Sequence, residues 1–234
     1  IAIVMVRCVG AAESVVTQHT PHELVFATSS EYAWRSFPIT AVFTNGKQRI
    51  EVDAYWNGGR AWKVRFAPPS IGQWGWSLRS IDKTLENKTG VIDAVAPSRN
   101  QLESNVNLRG QVKPVGFHFA YDDGTPVLLL GDCLLFNALR FDNGDFIKWL
   151  DHRRAAGFNA LNVRLCKYGS ANEGGVVYGN ADQGVDQLNP AHFQSIDDRM
   201  HAAWQRGFVV FFLPDFLGFG KYSQDDVRDL WRYL

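Results

Sequence analysis

An excess of charge of either sign is missing from this chain. Its 24 lysine and arginine residues are matched by 24 aspartate and glutamate residues, for a net charge of zero. That balance gives no electrostatic footprint for nucleic acid or for an anionic membrane surface. Cysteine is scarce: Cys8, Cys133 and Cys166 make neither a CxxC motif nor a disulfide framework. Cys133 and Cys166 follow two successive predicted strands and could be neighbours, but buried free thiols are the expectation. After the first residues no apolar run is long enough to span a membrane. No GxGxxG follows the first long apolar strand and GxxxxGK[ST] is absent, which removes the usual dinucleotide and nucleotide readings. His118, His152, His192 and His201 fall in predicted strand or helix, and no pair makes HExxH, so a metal hydrolase is unsupported. A serine esterase is unsupported too, for want of GxSxG. Glu173, Asp182 and Asp186 do not follow the EF-hand spacing, which argues against calcium. No cofactor and no metal are expected.

Aromatic residues, in contrast, are plentiful: 13% of the chain, with 8 tryptophans. Flat rings without net charge are compatible with sugar binding, because pyranose faces stack on them. The more ordinary role for most of these tryptophans is core packing. Residues 1–14, with "IAIVMV" ahead of "VGAAES", read as the remnant of a signal peptide, and export to the periplasm or the outside follows. Arg7 interrupts that run, and an edge strand is the alternative.

From residue 15 to 97 the pattern is that of strands. "ITAVFT" alternates Ile39, Ala41 and Phe43 on one face, and "RIEVDAYW" alternates Ile50, Val52, Ala54 and Trp56. "AWKVRFAP" sets Trp62, Val64 and Phe66 against Lys63 and Arg65, and "GQWGWSLRS" places Trp74, Trp76 and Leu78 together. A period of two means one buried and one wet face. "TNGK", "NGG", "PPSIG" and "ENKTG" supply turns, and short strands at regular spacing predict a β-sandwich.

Over residues 98–234 the period changes. "FHFAYDDGTPVLLLGD" reads as a hairpin leading into "PVLLL", a strand expected to be buried on both faces. A helix with Phe146, Trp149 and Leu150 on its stripe ends at Gly157, and the strand "FNALNVRL" follows. Asn189 and Pro190 open a second helix carrying Phe193, Ile196, Met200, Ala203 and Trp204. Gly207 ends it, and "FVVFFLP" is the next strand. Ser223, Asp225 and Asp226 start a last helix. Helix, short turn and buried strand, repeated, is the βα unit of a parallel sheet. A doubly wound sheet and a (β/α)8 barrel both fit. The barrel is the better reading, with its first three units present.

Ligands of parallel α/β folds meet the C-terminal ends of the strands. Those ends offer Asp132, then Asn162, Arg164 and Lys167, then Asp215. The structural alternative is that Asp132 and Asp215 cap the following turns and that Arg164 pairs with one of them. The Gly-rich stretch from Ser170 to Gly184 is either a lid or simply a long loop.

Three stretches together carry a family resemblance. "NGGRAWKVRFAPPSIGQWGWSL" resembles the N-terminal immunoglobulin-like sandwich of apiosidase-like glycoside hydrolases, with its Gly pair, Trp-x-x-Arg-Phe, Pro and Gly-x-Trp in order. "FHFAYDDGTPVLLLGDC" and "RAAGFNALNVRL", followed by "LNPAHFQSIDDRMHAAWQRGFVVFFLP", resemble the opening of that family's TIM barrel. The resemblance covers residues 24–234. It departs after Asp132, where the family has Thr and a nearby Trp and this chain has Cys133 and "LLF".

The resemblance implies an exported glycoside hydrolase acting on polysaccharide side chains, with a carbohydrate substrate and two-carboxylate chemistry. It implies an acid/base residue at the end of strand four and a nucleophile at the end of strand seven. "DLWRYL" resembles the helix before strand four, so the catalytic pair is expected beyond Leu234, in a missing C-terminal barrel half. Asp132, Asn162, Arg164 and Asp215 would then orient sugar hydroxyls, and the piece itself would be inactive. The alternative function is a non-catalytic carbohydrate- or collagen-binding protein.

Overall fold

The structure, a computed structural model, describes residues 13–46, 48–134, 142–164, 171–177, 186–213 and 223–234. It forms two compact units. One comprises Ile1–Ala54 and Arg60–Ala96, the other Tyr55–Gly59 and Pro97–Leu234. Residues 1–12 of the expected signal-peptide remnant lie outside the described residues, while Glu13 opens the first strand.

The strands of the first unit are β1 (Glu13–Thr17), β2 (His22–Ala27), β3 (Ile39–Asn45) and β4 (Gln48–Asp53). After β5 (Tyr55–Trp56), which belongs to the second unit, come β6 (Ala61–Phe66), β7 (Gly72–Ser80) and β8 (Thr89–Val95). One sheet runs β1-β8-β7-β3-β4, and β2 pairs antiparallel with β6. The predicted alternation decides what faces inward. Phe43, Trp74, Trp76, Leu78 and Ile92 are buried from one sheet, and Trp62, Val64 and Phe66 from the other. The two sheets meet where Phe43 stacks on Phe66 at 3.8 Å between ring centroids and Trp74 meets Phe66 edge-on at 5.2 Å.

A buried carboxylate closes this unit. Asp82 accepts hydrogen bonds from the Ser29 amide, the Thr84 amide (3.0 Å) and the Thr84 hydroxyl (2.7 Å). These donors, the Ser29 amide first, hold its carboxyl well below the usual carboxylate range. A depressed folded value means that the stabilisation is complete above the unfolded value, about pH 3.9, and is lost as the pH falls through the folded one. The gap in urea midpoint between the wild type and Asp82→Asn is therefore expected to be wide at pH 7 and to narrow, without closing, as the pH is lowered toward about 2. An equal gap at both pH values would show that the charge contributes nothing.

The strand expected to run through Trp56 stops at Asp53. Tyr55–Gly59, which includes the separate strand β5, also binds the far end of the chain. The Tyr233 hydroxyl donates to the Trp56 carbonyl (3.0 Å), and Gln194 Nε2 donates to both oxygens of Asn57 (3.1 Å each). The Tyr55 and Tyr233 rings meet edge-on at 6.1 Å. Local alternation continues through Trp56, but β4 ends at Asp53 and β5 is a separate strand, and Asn57 and Trp56 find partners 137 and 177 residues away.

From Pro97 the second unit continues with α1 (Arg99–Ser104), which Ser98 and Gln101 close in a capping box. The three-stranded antiparallel sheet of β9 (Lys113–Val115), β10 (His118–Ala120) and β11 (Pro126–Val127) follows. Then come β12 (Gly131–Leu134), α2 (Asn143–Ala155), β13 (Ala160–Arg164) and the small hairpin β14 (Ala171–Asn172) and β15 (Gly175–Val176). The chain ends with α3 (Pro190–Gln205), β16 (Val209–Leu213) and α4 (Gln224–Tyr233). β12, β13 and β16 form a parallel sheet in that order, as the repeated helix-turn-strand pattern predicts. Asp142 caps α2, Asn189 caps α3 ahead of Pro190, and Ser223 and Asp226 form a capping box on α4. Under the sheet, Leu161 and Val163 pack with Phe146, Leu150, Ala203 and Phe208. Asn107 ties the preceding segment to this layer, donating to the carbonyls of Trp204 (3.0 Å) and Phe208 (3.1 Å) at the C-terminal end of α3. Among the described residues no helix is long and apolar enough to cross a membrane.

"PVLLL" is not the buried parallel strand its apolarity suggests. Pro126 and Val127 are drawn into the antiparallel hairpin with β10, Leu128 is 86% exposed, and the parallel strand starts only at Gly131. The reason is a side chain. Asn159 donates to the Leu128 carbonyl and accepts from the Leu130 amide, both at 2.8 Å, so these groups are satisfied without a ladder.

Candidate functional site

Register sorts the strand residues by face. In a parallel pair, residues in register share a face, and successive residues alternate. Asp132, Leu161 and Val210 are in register, and Leu161 and Val210 pack on the helix-side core. Cys133, Asn162 and Phe211 are in register on the opposite face. There Cys133 and Phe211 are exposed and Asn162 is half-buried. The Asn162 Oδ1 atom is itself buried and has no hydrogen-bond partner among the described residues. A carboxamide oxygen buried without a partner among the described residues is an unused acceptor.

This placement corrects the expectation for Asp132. It is the second residue of β12, level with Leu161, and does not stand at the strand's end. Its Oδ2 forms an ion pair with Arg153 Nε of α2 at 2.7 Å, and its Oδ1 accepts from the Cys133 amide at 2.7 Å. The Arg153 guanidinium in turn lies over the rings of Trp149 (5.5 Å) and Phe158 (5.6 Å). The structure therefore turns Asp132 toward the helices and away from Asn162. Once β12 starts at Gly131, alternation puts the carboxylate on the helix face, where a cation waits for it. Cys133 is likewise corrected: it is a free, exposed thiol, on the face opposite the one that packs on the helices. Arg164 ends β13 in register with Leu213. Asp215, Lys167, Cys166, Cys8 and Asp182 lie outside the described residues.

The described part of the Gly-rich stretch, residues 171–177, is packed on α3. Asn189 Nδ2 donates to the carbonyls of Gly174 (2.9 Å) and Val176 (2.7 Å), and Asn172 Nδ2 donates to that of His192 (3.0 Å). His192, fully buried, places Nδ1 2.9 Å from the Gly175 carbonyl, and the Asn189 amide donates to Val177 (3.0 Å).

From this hairpin Glu173 reaches α2: its Oε1 accepts from the Asn143 amide at 2.8 Å. Its Oε2 lies 3.5 Å from Arg199 Nη2 of α3. Sequence reasoning missed Arg199, which is 2% exposed. The signal was there, since Arg199 sits three residues after Ile196 and four before Ala203, in an apolar stripe where a cation needs a reason. Burial pulls its guanidinium below the usual value, and Glu173 opposes that shift. Among the described residues no group of three His, Cys, Asp or Glu side chains could hold a metal ion.

Comparison with known proteins adds the following. Residues 15–81 match the model of a domain of unknown function, DUF5060, and residues 115–233 match the model described as "Apiosidase-like, catalytic domain". No curated protein matches the sequence. Among solved structures, a candidate glycoside hydrolase from Bacteroides vulgatus has a similar fold. Its TM-score is 0.76 at 18% identity, over 94% of this chain and 45% of that one. The present chain thus spans less than half the length of that relative. A protein named only as a glycoside hydrolase follows at 17% identity, over 53% of this chain and 30% of that one, with a TM-score of 0.44. A family 5 glycoside hydrolase from Bacteroides vulgatus follows at 16%, over 46% and 25%, with a TM-score of 0.37. Neither score supports an argument about this fold. The catalytic-domain match takes in half of the chain, including all three parallel strands and the helices α2, α3 and α4. The chain belongs to the apiosidase-like family.

Proposed function

We propose that the chain is the N-terminal part of an exported glycoside hydrolase that acts on polysaccharide side chains by two-carboxylate chemistry. The observation that carries this reading is the match to the apiosidase-like catalytic domain over residues 115–233, which coincides with a parallel βα array. In this reading the face-to-face sheets of the first unit are an immunoglobulin-like sandwich that braces the enzyme. The parallel strands are the first three of a (β/α)8 barrel. The acid/base and the nucleophile come from residues beyond Leu234. Support for that placement is the 45% share of the Bacteroides vulgatus chain that this one spans. Asn162, with its unpaired acceptor, and Arg164 and Asp215 beside it in sequence order along the strand ends, bind sugar hydroxyls. Asp132 is left out, because its carboxylate is already held by Arg153.

The test is an assay of residues 1–234, and of a longer form carrying the downstream coding sequence, on aryl glycosides and pectic oligosaccharides. The expected result is turnover by the longer form alone. Turnover by residues 1–234 would place both carboxylates inside this chain and overturn the proposed division. Sugar binding without turnover by either form would favour the carbohydrate-binding alternative.

A further inference from the structure

We propose that Glu173 and Arg199 are a positioning pair. They fix the hairpin that follows β13 against the first turn of the helix that follows β12, and so set the spacing of the two segments that leave adjacent strand ends. The geometry is a triangle. Arg199 Nε donates to Asn143 Oδ1 (2.8 Å), Arg199 Nη2 lies 3.5 Å from Glu173 Oε2, and Glu173 Oε1 accepts from the Asn143 amide (2.8 Å). Its floor is the Phe146 ring, 5.8 Å beneath the guanidinium.

Three features separate this arrangement from ordinary packing. First, a guanidinium in an apolar stripe is costly to bury, and an apolar side chain of similar volume would pack there without that cost. What the planar fork adds is direction, because its donors bind at fixed angles. Second, Asp142 already caps α2 by accepting from the Asp145 amide at 2.7 Å. The Glu173 contact is therefore an additional anchor at that helix N-terminus, supplied from another segment, where a carboxylate is favoured. Third, the hairpin is itself rigidly seated on α3 through Asn172, Asn189 and His192. A carboxylate on a fixed platform transmits position, whereas one on a free loop would not. Ligands of parallel sheets meet the C-terminal strand ends, so the spacing of these two segments is the spacing of a site wall. Only the identity of the ligand as a sugar rests on the proposed function.

The experiment is amide hydrogen exchange on the whole chain, with Glu173→Ala, Glu173→Gln and Arg199→Lys. The Glu173 side chain is 43% exposed, so its removal leaves the core intact. Losing a charge-assisted contact is expected to speed exchange about tenfold in residues 171–177 and in the first turn of α2, with β13 and the middle of α3 unchanged. Glu173→Gln, which keeps an acceptor for the Asn143 amide, is expected to restore most of the protection in α2. Arg199→Lys, which keeps the charge and loses the fork, is expected to loosen both segments. In an active longer form Glu173→Ala should raise KM with little change in kcat. Wild-type exchange in Glu173→Ala, or a uniform rise through the second unit, would overturn the proposal. An absence of turnover in every form would sink the glycosidase reading and leave the exchange result standing.

Discussion

Phe146→Ala is expected to lower the stability of the second unit by about 3–5 kcal/mol, the usual cost of emptying a large aromatic site in a packed core. Phe146 is fully buried and lies in the cluster with Leu150, Leu161, Val163, Ala203 and Phe208. It therefore touches both the helix that carries it and the central strand of the parallel sheet. Its ring also stacks against Trp149 at 6.0 Å and underlies the Arg199 guanidinium. Truncation removes transfer energy, opens a cavity under β13 and exposes one side of a buried cation. All four α-helices among the described residues belong to the second unit, so far-ultraviolet circular dichroism during urea unfolding reads this unit selectively. Phe146→Leu, which keeps most of the volume, should cost less than about 1.5 kcal/mol. If alanine cost no more than leucine, the ring would not be the wedge between helix and sheet that its burial indicates.

Gly174→Ala is expected to unseat the 171–177 hairpin, with a loss of about 3 kcal/mol, at the upper end for inserting one carbon into a tight contact. A Cβ at this position would overlap the carbonyl of Ala191 and lie 2.7 Å from the His192 nitrogen. Both belong to the first turn of α3, whose backbone cannot yield without breaking its cap. The hairpin must move instead, and with it the bonds from Asn189, Asn172 and His192. The proton and nitrogen shifts of the His192 ring report the outcome directly, since its Nδ1 would lose the Gly175 carbonyl. Unchanged His192 shifts in a folded Gly174→Ala protein would show that the hairpin does not depend on this close approach.

Both sites illustrate what could be read without coordinates. The Phe146 stripe and Gly157 at the helix end were legible, because helix periodicity and stop signals are local. The same holds for α3 and α4, and for the inward faces of β6 and β7. Gly174 was not legible as a contact, because a glycine in a Gly-rich loop looks like freedom. Only its distance to Ala191 shows it as a close approach.

The sequence by itself determined the alternation of the first unit, the order of helices and parallel strands in the second, and the resemblance to the apiosidase-like family that residues 115–233 then matched. These depend on side-chain periodicity and turn chemistry within windows of about ten to twenty residues. Tertiary structure alone decided which way Asp132 points, where β12 begins, which unit holds Tyr55–Gly59 and what surrounds Arg199. Each of these was settled by a partner far away in the chain. Asn159 took the backbone groups of Leu128 and Leu130, and Arg153 took the Asp132 carboxylate. Tyr233 and Gln194 took the Tyr55–Gly59 segment, and Asn143 and Glu173 took the Arg199 guanidinium. A buried polar group must be satisfied wherever a partner can be found, and local pattern carries no record of that partner.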